Sequence, residues 1–171
     1  MSELVVIRHG QADAFSADSD RLTGLGERQA RLLGEFLVAR GERFDRVVSG
    51  AMRRHRQTEA QVAQAYRDAG QSWPEAEIDA DWNEYDAHGV LGSLAPALAE
   101  RDPAFARAAD EFRANAAATD RNRYFQRMLE RVMEAWISGE VAHASVESFA
   151  QFHGRVLAAR EIGRASCRER V

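Results

Sequence analysis

The chain has 171 residues, 45% of them hydrophobic and 29% charged, a composition typical of one globular domain. The net charge of -4 excludes broad electrostatic binding to nucleic acid, and no apolar run approaches the roughly 20 residues of a membrane span. A single cysteine excludes an internal disulfide. The first apolar stretch is too short for a signal peptide, so we expect a cytoplasmic protein without a membrane partner.

The first 70 residues show alternating strand and helix patterns. Residues 4–7 (Leu-Val-Val-Ile) predict a buried parallel strand, and residues 44–49 predict a second strand. Thr23 is a candidate N-cap of the helix between them, and Gly41 is a candidate helix end. A second helix is predicted over 53–69, with an apolar face made of Val62, Ala65, Tyr66 and Ala69. This order favours an α/β fold with a parallel sheet and right-handed crossovers.

The remainder of the chain is predicted to be mostly helical. Residues 73–95 are predicted to be mainly loop, with a short strand near Ile78, and residues 96–139 to be helical in two or three segments. The helical insertion in the α/β pattern is expected around residues 85–140. Pro103 suits a first helical turn, and a last helix is predicted over 145–160. The apolar faces of these helices are Leu129, Val132, Met133, Trp136 and Ile137, and then Val146, Phe149, Phe152, Val156 and Leu157.

Arg8, His9 and Gly10 directly follow the first predicted strand, at the end of a strand where α/β sheets bind ligands. A histidine can attack phosphorus when a backbone acceptor fixes its other ring nitrogen. Arginine grips two phosphate oxygens with its planar guanidinium, and glycine lets the backbone approach a ligand. The tripeptide alone is a weak signal for phosphoryl chemistry.

Two further stretches follow in order. Residues 22–30 read Leu-Thr-Gly-Leu-Gly-Glu-Arg-Gln-Ala, and residues 49–58 read Ser-Gly-Ala-Met-Arg-Arg-His-Arg-Gln-Thr. They resemble the Leu-Thr-x-x-Gly-x-x-Gln-Ala and Ser-Ser-Pro-x-x-Arg-Ala-x-Gln-Thr stretches of the histidine phosphatase superfamily, the phosphoglycerate-mutase-like enzymes. The resemblance implies a three-layer α/β/α fold with a mainly parallel sheet, phosphoryl transfer through a phosphohistidine, and no cofactor or metal. Taken singly, the first stretch can be explained as an ordinary helix N-cap and the second as a solvent-exposed, basic start of a helix.

The resemblance also implies site residues. They are His9 as the nucleophile and Arg8, Gly10, Gln11 and Arg54 as phosphate ligands. Alignment on Gln57 and Thr58 selects Arg54 in place of its neighbour Arg53, which is expected on the solvated face or at the rim of the site. His55 falls at the family's usual alanine position and is interpreted as a bystander.

A phosphatase also needs an acid that protonates the leaving oxygen. Residues 81–86, Asp-Trp-Asn-Glu-Tyr-Asp, resemble the Leu-Asn-Glu-Tyr-Asp segment of one bacterial branch of the superfamily. The resemblance implies Glu84 as this acid, with Asp81 and Asp86 as weaker candidates. The alternative is that all three are ordinary loop carboxylates.

The superfamily has a second active-site histidine, in a His-Gly pair at the end of a later strand. His153 and Gly154 form such a pair, but they lie within a helical pattern and no β-branched strand precedes them. We therefore do not identify His153 with that residue. His88 and His143 have no motif context and are expected to be exposed.

Residues 162–171, Ile-Gly-Arg-Ala-Ser-Cys-Arg-Glu-Arg-Val, have no apolar periodicity. They back-translate as ATC GGA AGA GCG TCG TGT AGG GAA AGA GTG, a common sequencing-adapter sequence that begins with the AG of a GAG codon for Glu161. We therefore expect residues 161–171 to be translated adapter and residues 1–160 to be a domain whose last strand is missing. As written, the chain should be poorly soluble and inactive. A natural basic tail is the alternative.

The sequence favours a phosphohydrolase that acts on a small-molecule or protein phosphate monoester. Mutase-like relatives continue Arg-His-Gly-Glu-Thr-x-x-Asn, whereas Ala12 and Phe15 occupy the threonine and asparagine positions here. A phosphoglycerate-type mutase is one alternative, and a non-catalytic module that binds a phosphoryl ligand or a protein is another. The sequence identifies neither the substrate nor the oligomeric state.

Overall fold

The computed structural model describes residues 3–13 and 18–166, with side chains as far as Glu161. Phe15 and the tail from Cys167 to Val171 therefore lie outside the described residues. The described residues form two compact units: the first comprises those as far as Asn83 together with residues 162–166, and the second comprises Glu84–Glu161. None of the described helices combines the length and the apolar character that a membrane crossing requires.

The first unit contains a parallel βαβ arrangement. Its elements are α1 (Gly24–Ala39), β1 (Val47–Ser49), α2 (Arg53–Asp68), β2 (Ala76–Ile78) and one 3-10 turn (Ala80–Trp82). In the parallel ladder, Val47 is opposite Ala76 and Ser49 is opposite Ile78, with α2 as the crossover. This is the predicted α/β pattern, and within the described residues the sheet has two strands.

Local sequence signals set the ends of α1 as predicted. The Thr23 side chain accepts a hydrogen bond from the Gly26 N–H at 3.0 Å, which satisfies one of the free donors at the helix start. After the C-cap Arg40, Gly41 has a φ of 72°, a left-handed conformation that glycine adopts without a steric penalty. Both the predicted N-cap and the predicted helix end are confirmed.

Helices α1 and α2 are in close contact through Gly34. A Cβ on Gly34 would lie 2.7 Å from the Ala65 Cβ and 2.9 Å from the Val62 Cα, so a larger residue would force the helices apart. The predicted face of α2 is confirmed at Val62, Ala65 and Tyr66, which are buried, but Ala69 is exposed because it caps the end of the helix. The core beside Gly34 consists of Leu37, Val62 and Tyr66, surrounded by Leu33, Val38, Phe44 and Trp73.

The prediction of a buried strand over residues 4–7 is wrong. Leu4, Val5, Val6 and Ile7 are all exposed, and Val6 is 72% exposed. A β-branched run becomes a buried strand only when neighbouring strands complete its hydrogen bonds and cover its faces. Among the described residues, β1 and β2 pair with each other and neither pairs with residues 4–7.

The second unit is helical and has its own core. Its helices are α3 (Ala87–Arg101), α4 (Pro103–Ala114), α5 (Arg121–Ser138) and α6 (Phe149–Ser166). The predicted loop over residues 87–95 is wrong, because Val90, Leu94 and Leu98 recur at helical spacing and are fully buried against residues of α5. Gly92 and Pro96 weaken the local helix signal, and apolar burial outweighs them.

Capping side chains fix the starts of α4 and α6 in this unit. Pro103 lies in the first turn of α4, as predicted, and Asp102 caps that helix by accepting from the N–H groups of Ala104 and Phe105. Helix α6 begins at Phe149 instead of 145, because Ser148 and Gln151 bond reciprocally to each other's backbone N–H. The predicted apolar faces are only partly covered, since Ile137 and Leu157 are exposed.

Candidate active site

The loop after His9 lies directly against the first turn of α1. A Cβ on Gly10 would collide with the Gly26 carbonyl oxygen, and a Cβ on Gly26 would collide with the Gln11 carbonyl oxygen. Both glycines therefore permit a close backbone approach. This contact explains why the first and second sequence motifs each carry a glycine at these positions.

Polar side chains reinforce the same contact. The Gln11 N–H donates to Gln29 Oε1 at 2.9 Å, and the Thr23 N–H donates to the Gln11 carbonyl at 2.9 Å. The Gly10 N–H donates to Thr58 Oγ1 at 3.1 Å. The N–H groups of Gly10 and Gln11 are thus bonded within the protein, and the role of these two residues as phosphate ligands stays a prediction.

The third motif connects α2 to both preceding motifs. The Thr58 hydroxyl, which accepts from the Gly10 N–H, donates to the Arg54 carbonyl at 2.8 Å. The Gln57 side chain accepts from the Leu22 N–H at 2.9 Å. Thr58 is buried, so its hydroxyl fixes the position of the Gly10 backbone relative to the first turns of α2.

The hydrogen bonds of His9 define its tautomer. Its Nδ1 lies 2.6 Å from the Gly10 carbonyl oxygen, which can only accept, so this contact requires the proton on Nδ1. Its Nε2 accepts from Arg54 Nε at 3.3 Å. The backbone therefore fixes one ring nitrogen, and the lone pair of the other faces a guanidinium, an arrangement suited to nucleophilic attack on an anionic group.

The structure brings Arg54, and not Arg53, to His9. The Arg54 side chain is 13% exposed, and its Nη1 donates to Asp20 Oδ1 at 2.8 Å. The Arg53 side chain is 48% exposed and its Nη1 contacts Asp18 Oδ2 at 2.6 Å. The alignment that selects Arg54 therefore agrees with the geometry, and Arg53 lies on the solvated face.

Asp20 is a site residue that the sequence motifs do not indicate. Partial burial opposes its ionisation, but hydrogen bonds from the backbone N–H groups of Arg53 and Arg54 and from the Arg54 side chain outweigh burial and lower the pKa of Asp20. Asp20 thus places a negative charge at the start of α2, where the helix dipole also favours an anion. It holds the guanidinium that contacts His9.

Asn83 is a second residue that sequence reasoning missed. Its Oδ1 accepts from the Ala51 N–H at 2.7 Å and from the Met52 N–H at 3.2 Å. Met52 is the N-cap of α2 and provides no side-chain cap. Asn83 and Asp20 instead cap the start of α2 from distant parts of the chain, so a local search for an N-cap could not find them.

His55, interpreted above as a bystander, lies next to His9. The two ring centroids are 5.6 Å apart, with the ring planes inclined by 31°. Both residues are partly buried. A histidine directly after the arginine of the third motif is the only sequence signal for this neighbour.

The remaining predicted residues lie elsewhere. Arg8 is exposed, and Glu84 is exposed within the second unit, so the roles of both stay predictions. Asp86 caps α3 by accepting from the Gly89 N–H at 2.9 Å, which gives this weaker candidate acid a structural role. His153 lies in α6 as predicted, exposed and stacked on Phe149 with centroids 5.8 Å apart. His88 and His143 are exposed, also as predicted.

The described residues contain no group of three or more histidine, cysteine, aspartate or glutamate side chains that could hold a metal ion. At the start of α2, imidazole, guanidinium and carboxylate groups meet. The centre of this group is the contact between His9 and Arg54.

Comparison with known proteins agrees with the motifs. The family model described as histidine phosphatase superfamily (branch 1) matches residues 4–160. No curated protein and no solved structure matches the chain. Since the family match covers most of the sequence, the chain belongs to branch 1 of the histidine phosphatase superfamily.

Proposed function

We propose that the protein is a phosphohydrolase that transfers the phosphoryl group of a phosphate monoester to His9 and then to water. Membership of the superfamily supports phosphatase-like or mutase-like chemistry in general. The substrate is a small-molecule or protein phosphoester. We place the protein in the cytoplasm, on the basis of its sequence.

The observation that carries this proposal is the pair of bonds made by His9. Nδ1 donates to the Gly10 carbonyl, and Nε2 faces the Arg54 guanidinium. A nucleophile beside a phosphate-binding cation lowers the activation barrier to phosphoryl transfer, mainly by positioning the reacting groups and stabilising the charge on the phosphoryl oxygens. A protein that only binds a phosphoryl ligand has no need of an imidazole held in the reactive tautomer, which favours the enzyme over the binding module.

The proposed reaction has two steps. In the first, the Nε2 lone pair of His9 forms a bond to phosphorus, the P–O bond to the leaving group breaks, and Glu84 gives its proton to the leaving oxygen. In the second, Glu84 takes a proton from water, whose oxygen attacks the phosphohistidine and releases inorganic phosphate. Arg8 and Arg54 hold the non-bridging oxygens in both steps. Ala12 and Phe15 favour water over a second substrate as acceptor, since both lack the polar groups of the mutase-like motif.

His9→Ala tests the proposal. We expect the wild type to release inorganic phosphate from an aryl phosphate monoester and the variant to lose at least about 1,000-fold in kcat/KM, because no nucleophile replaces the imidazole. A labelled phosphoryl group should be trapped on the wild type in an acid-labile, base-stable form, as expected for a phosphohistidine. Isomerisation without phosphate release would identify a mutase. If the wild type shows no turnover and the variant binds a phosphoryl ligand as tightly as the wild type does, the protein is a binding module.

The protein for this assay should come from the genomic reading frame that contains residues 1–160. We propose that residues 161–171 are translated adapter, because the ten consecutive residues from Ile162 to Val171 agree with the translation of one adapter sequence. Sequencing the gene outward from upstream of Arg160 tests this. A frame that diverges after Arg160 supports the proposal, whereas the same ten codons in genomic DNA overturn it.

A further inference from the structure

The ring of His55 lies close to that of His9. The centroids are 5.6 Å apart, and Arg54, the residue immediately before His55, contacts His9 Nε2 at 3.3 Å. Two imidazoles and one guanidinium therefore meet at the first turn of α2. His9 Nε2 is the nucleophile, and the Arg54 guanidinium and the His55 imidazole beside it carry nitrogen donors that match the oxygens of a phosphoryl group.

Gly50 makes room for the His55 ring. A Cβ on Gly50 would collide with His55 Nδ1, and it would lie 3.1 Å from His55 Cε1 and 3.0 Å from Asn83 Oδ1. Gly50 does not have a positive φ, so its backbone conformation does not require glycine. The requirement at this position is space for the imidazole, which indicates that the protein holds His55 in a defined place.

The backbone beneath His55 is also fixed. Its N–H donates to the Met52 carbonyl at 3.1 Å, and Asn83 holds the N–H groups of Ala51 and Met52. The start of a helix favours negatively charged ligands, because its N–H groups and dipole present positive charge. His55 therefore lies in the first turn of α2, on a backbone held by hydrogen bonds, where the helix dipole favours an anion.

We infer that His55 is a second imidazole of the phosphate site, donating a hydrogen bond from its Nε2–H to a phosphoryl oxygen during transfer to His9. This inference rests on the proposed function. His55 keeps its proton throughout, and the covalent changes remain those at His9 and the leaving oxygen. Its contribution is greatest when the phosphoryl group lies between the leaving oxygen and His9 Nε2, since the non-bridging oxygens then need fixed donors.

Three variants test the role of the His55 donor. We expect His55→Ala to lower kcat/KM by about 100-fold or more, the effect of removing one donor from a preorganised anion site. His55→Gln retains an N–H donor and should recover part of this loss, which a merely structural role for the ring does not predict. His153→Ala is the matched control, because it removes an exposed histidine of the second unit and should leave turnover unchanged. Equal thermal melting of the variants excludes misfolding as the cause.

Gly50→Ala provides an independent test through the same side chain. The added methyl group must displace His55, so this variant should reproduce the loss seen in His55→Ala. The double variant should then be no worse than His55→Ala alone, because the two changes remove one interaction. Additive losses in the double variant would contradict the inference, since Gly50 would then act independently of His55.

Binding of inorganic phosphate separates this inference from the proposed function. Phosphate should shift the ring resonances of both His9 and His55, and His55→Ala should weaken phosphate binding by about 10-fold, the effect of losing one charge-assisted hydrogen bond. A shift at His55 without any turnover by the wild type would overturn the enzyme and retain the phosphate site. Turnover that His9→Ala abolishes but His55→Ala leaves intact would overturn the inference and retain the enzyme.

Discussion

The start of α2 and the core of the second unit are stabilised in opposite ways. Around Thr58, Asn83 and Asp20, side chains from separate parts of the chain bond to backbone N–H groups. In the second unit the buried residues are almost entirely apolar, with Leu94, Leu98 and Val132 fully inaccessible. Polar bonds depend on direction and apolar burial does not, so the first region can hold reactive groups in place and the second mainly supplies stability.

The largest expected effect is on activity, at Arg54. Arg54→Ala should lower kcat/KM by about 1,000-fold, because it removes the cation beside His9 Nε2. Arg54→Lys should recover little, since lysine cannot contact His9 and Asp20 through a planar fork. Steady-state kinetics on a phosphate monoester measure this. Arg56→Ala changes an exposed arginine two residues later on α2 and should behave as the wild type.

The second effect is on stability, in the helical core. Leu94→Ala should reduce the free energy of unfolding by about 3 kcal/mol, because it removes buried methyl groups and leaves a cavity. Urea denaturation followed by circular dichroism measures the change. Ile137→Ala on α5, where the side chain is 53% exposed, should change stability far less. Equal losses in the two variants would mean that the second unit has no tightly packed core.

The third effect combines stability with activity, at Thr58. Thr58→Val preserves the shape of the side chain but leaves the buried Gly10 N–H without its acceptor, which should cost about 2 kcal/mol. Turnover should fall as well, because the Gly10 carbonyl then no longer holds His9 as firmly. Thr58→Ser keeps the hydroxyl and should retain most of both properties. A Thr58→Val variant with unchanged stability and unchanged kinetics would show that this bond does not position the site.

The smallest effect is a pH dependence shared by the two regions. The pKa of Asp20 is lowered because N–H groups and Arg54 outweigh partial burial, and the pKa of Asp102 is lowered by the Phe105 N–H and by Arg131. A lowered folded-state pKa means that the unfolded chain binds the proton more readily. The stabilisation is therefore present above about pH 5 and is lost as the pH falls through the folded-state pKa.

Asp20→Asn and Asp102→Asn should each reduce the loss of stability on acidification. Thermal melts between about pH 3 and pH 7 measure it. Only Asp20→Asn should also change kcat/KM, because Asp20 bonds to Arg54 whereas Asp102 caps α4 in the second unit. Loss of turnover in both variants would show that the two carboxylates do not differ in function.

Much of the site could be predicted because its motifs are local and ordered. The Arg8-His9-Gly10 tripeptide, Thr23 as an N-cap and Arg54 in preference to Arg53 all follow from short stretches of sequence, and the structure brings Arg54 to His9. Asp20, Asn83 and His55 could not be assigned in this way. Their partners lie 31 to 46 residues away along the chain, and spacing along the sequence does not encode such contacts.

The sequence by itself determined the ends of α1 and the α/β order of the first unit, since capping and turn chemistry act within a few residues of the chain. The tertiary structure alone decided the exposure of residues 4–7, the helix over 87–95 and the position of His55 beside His9. Burial and hydrogen bonding of a segment depend on what lies against it. A periodic pattern specifies the face that can be buried, and only the fold supplies the partner that buries it.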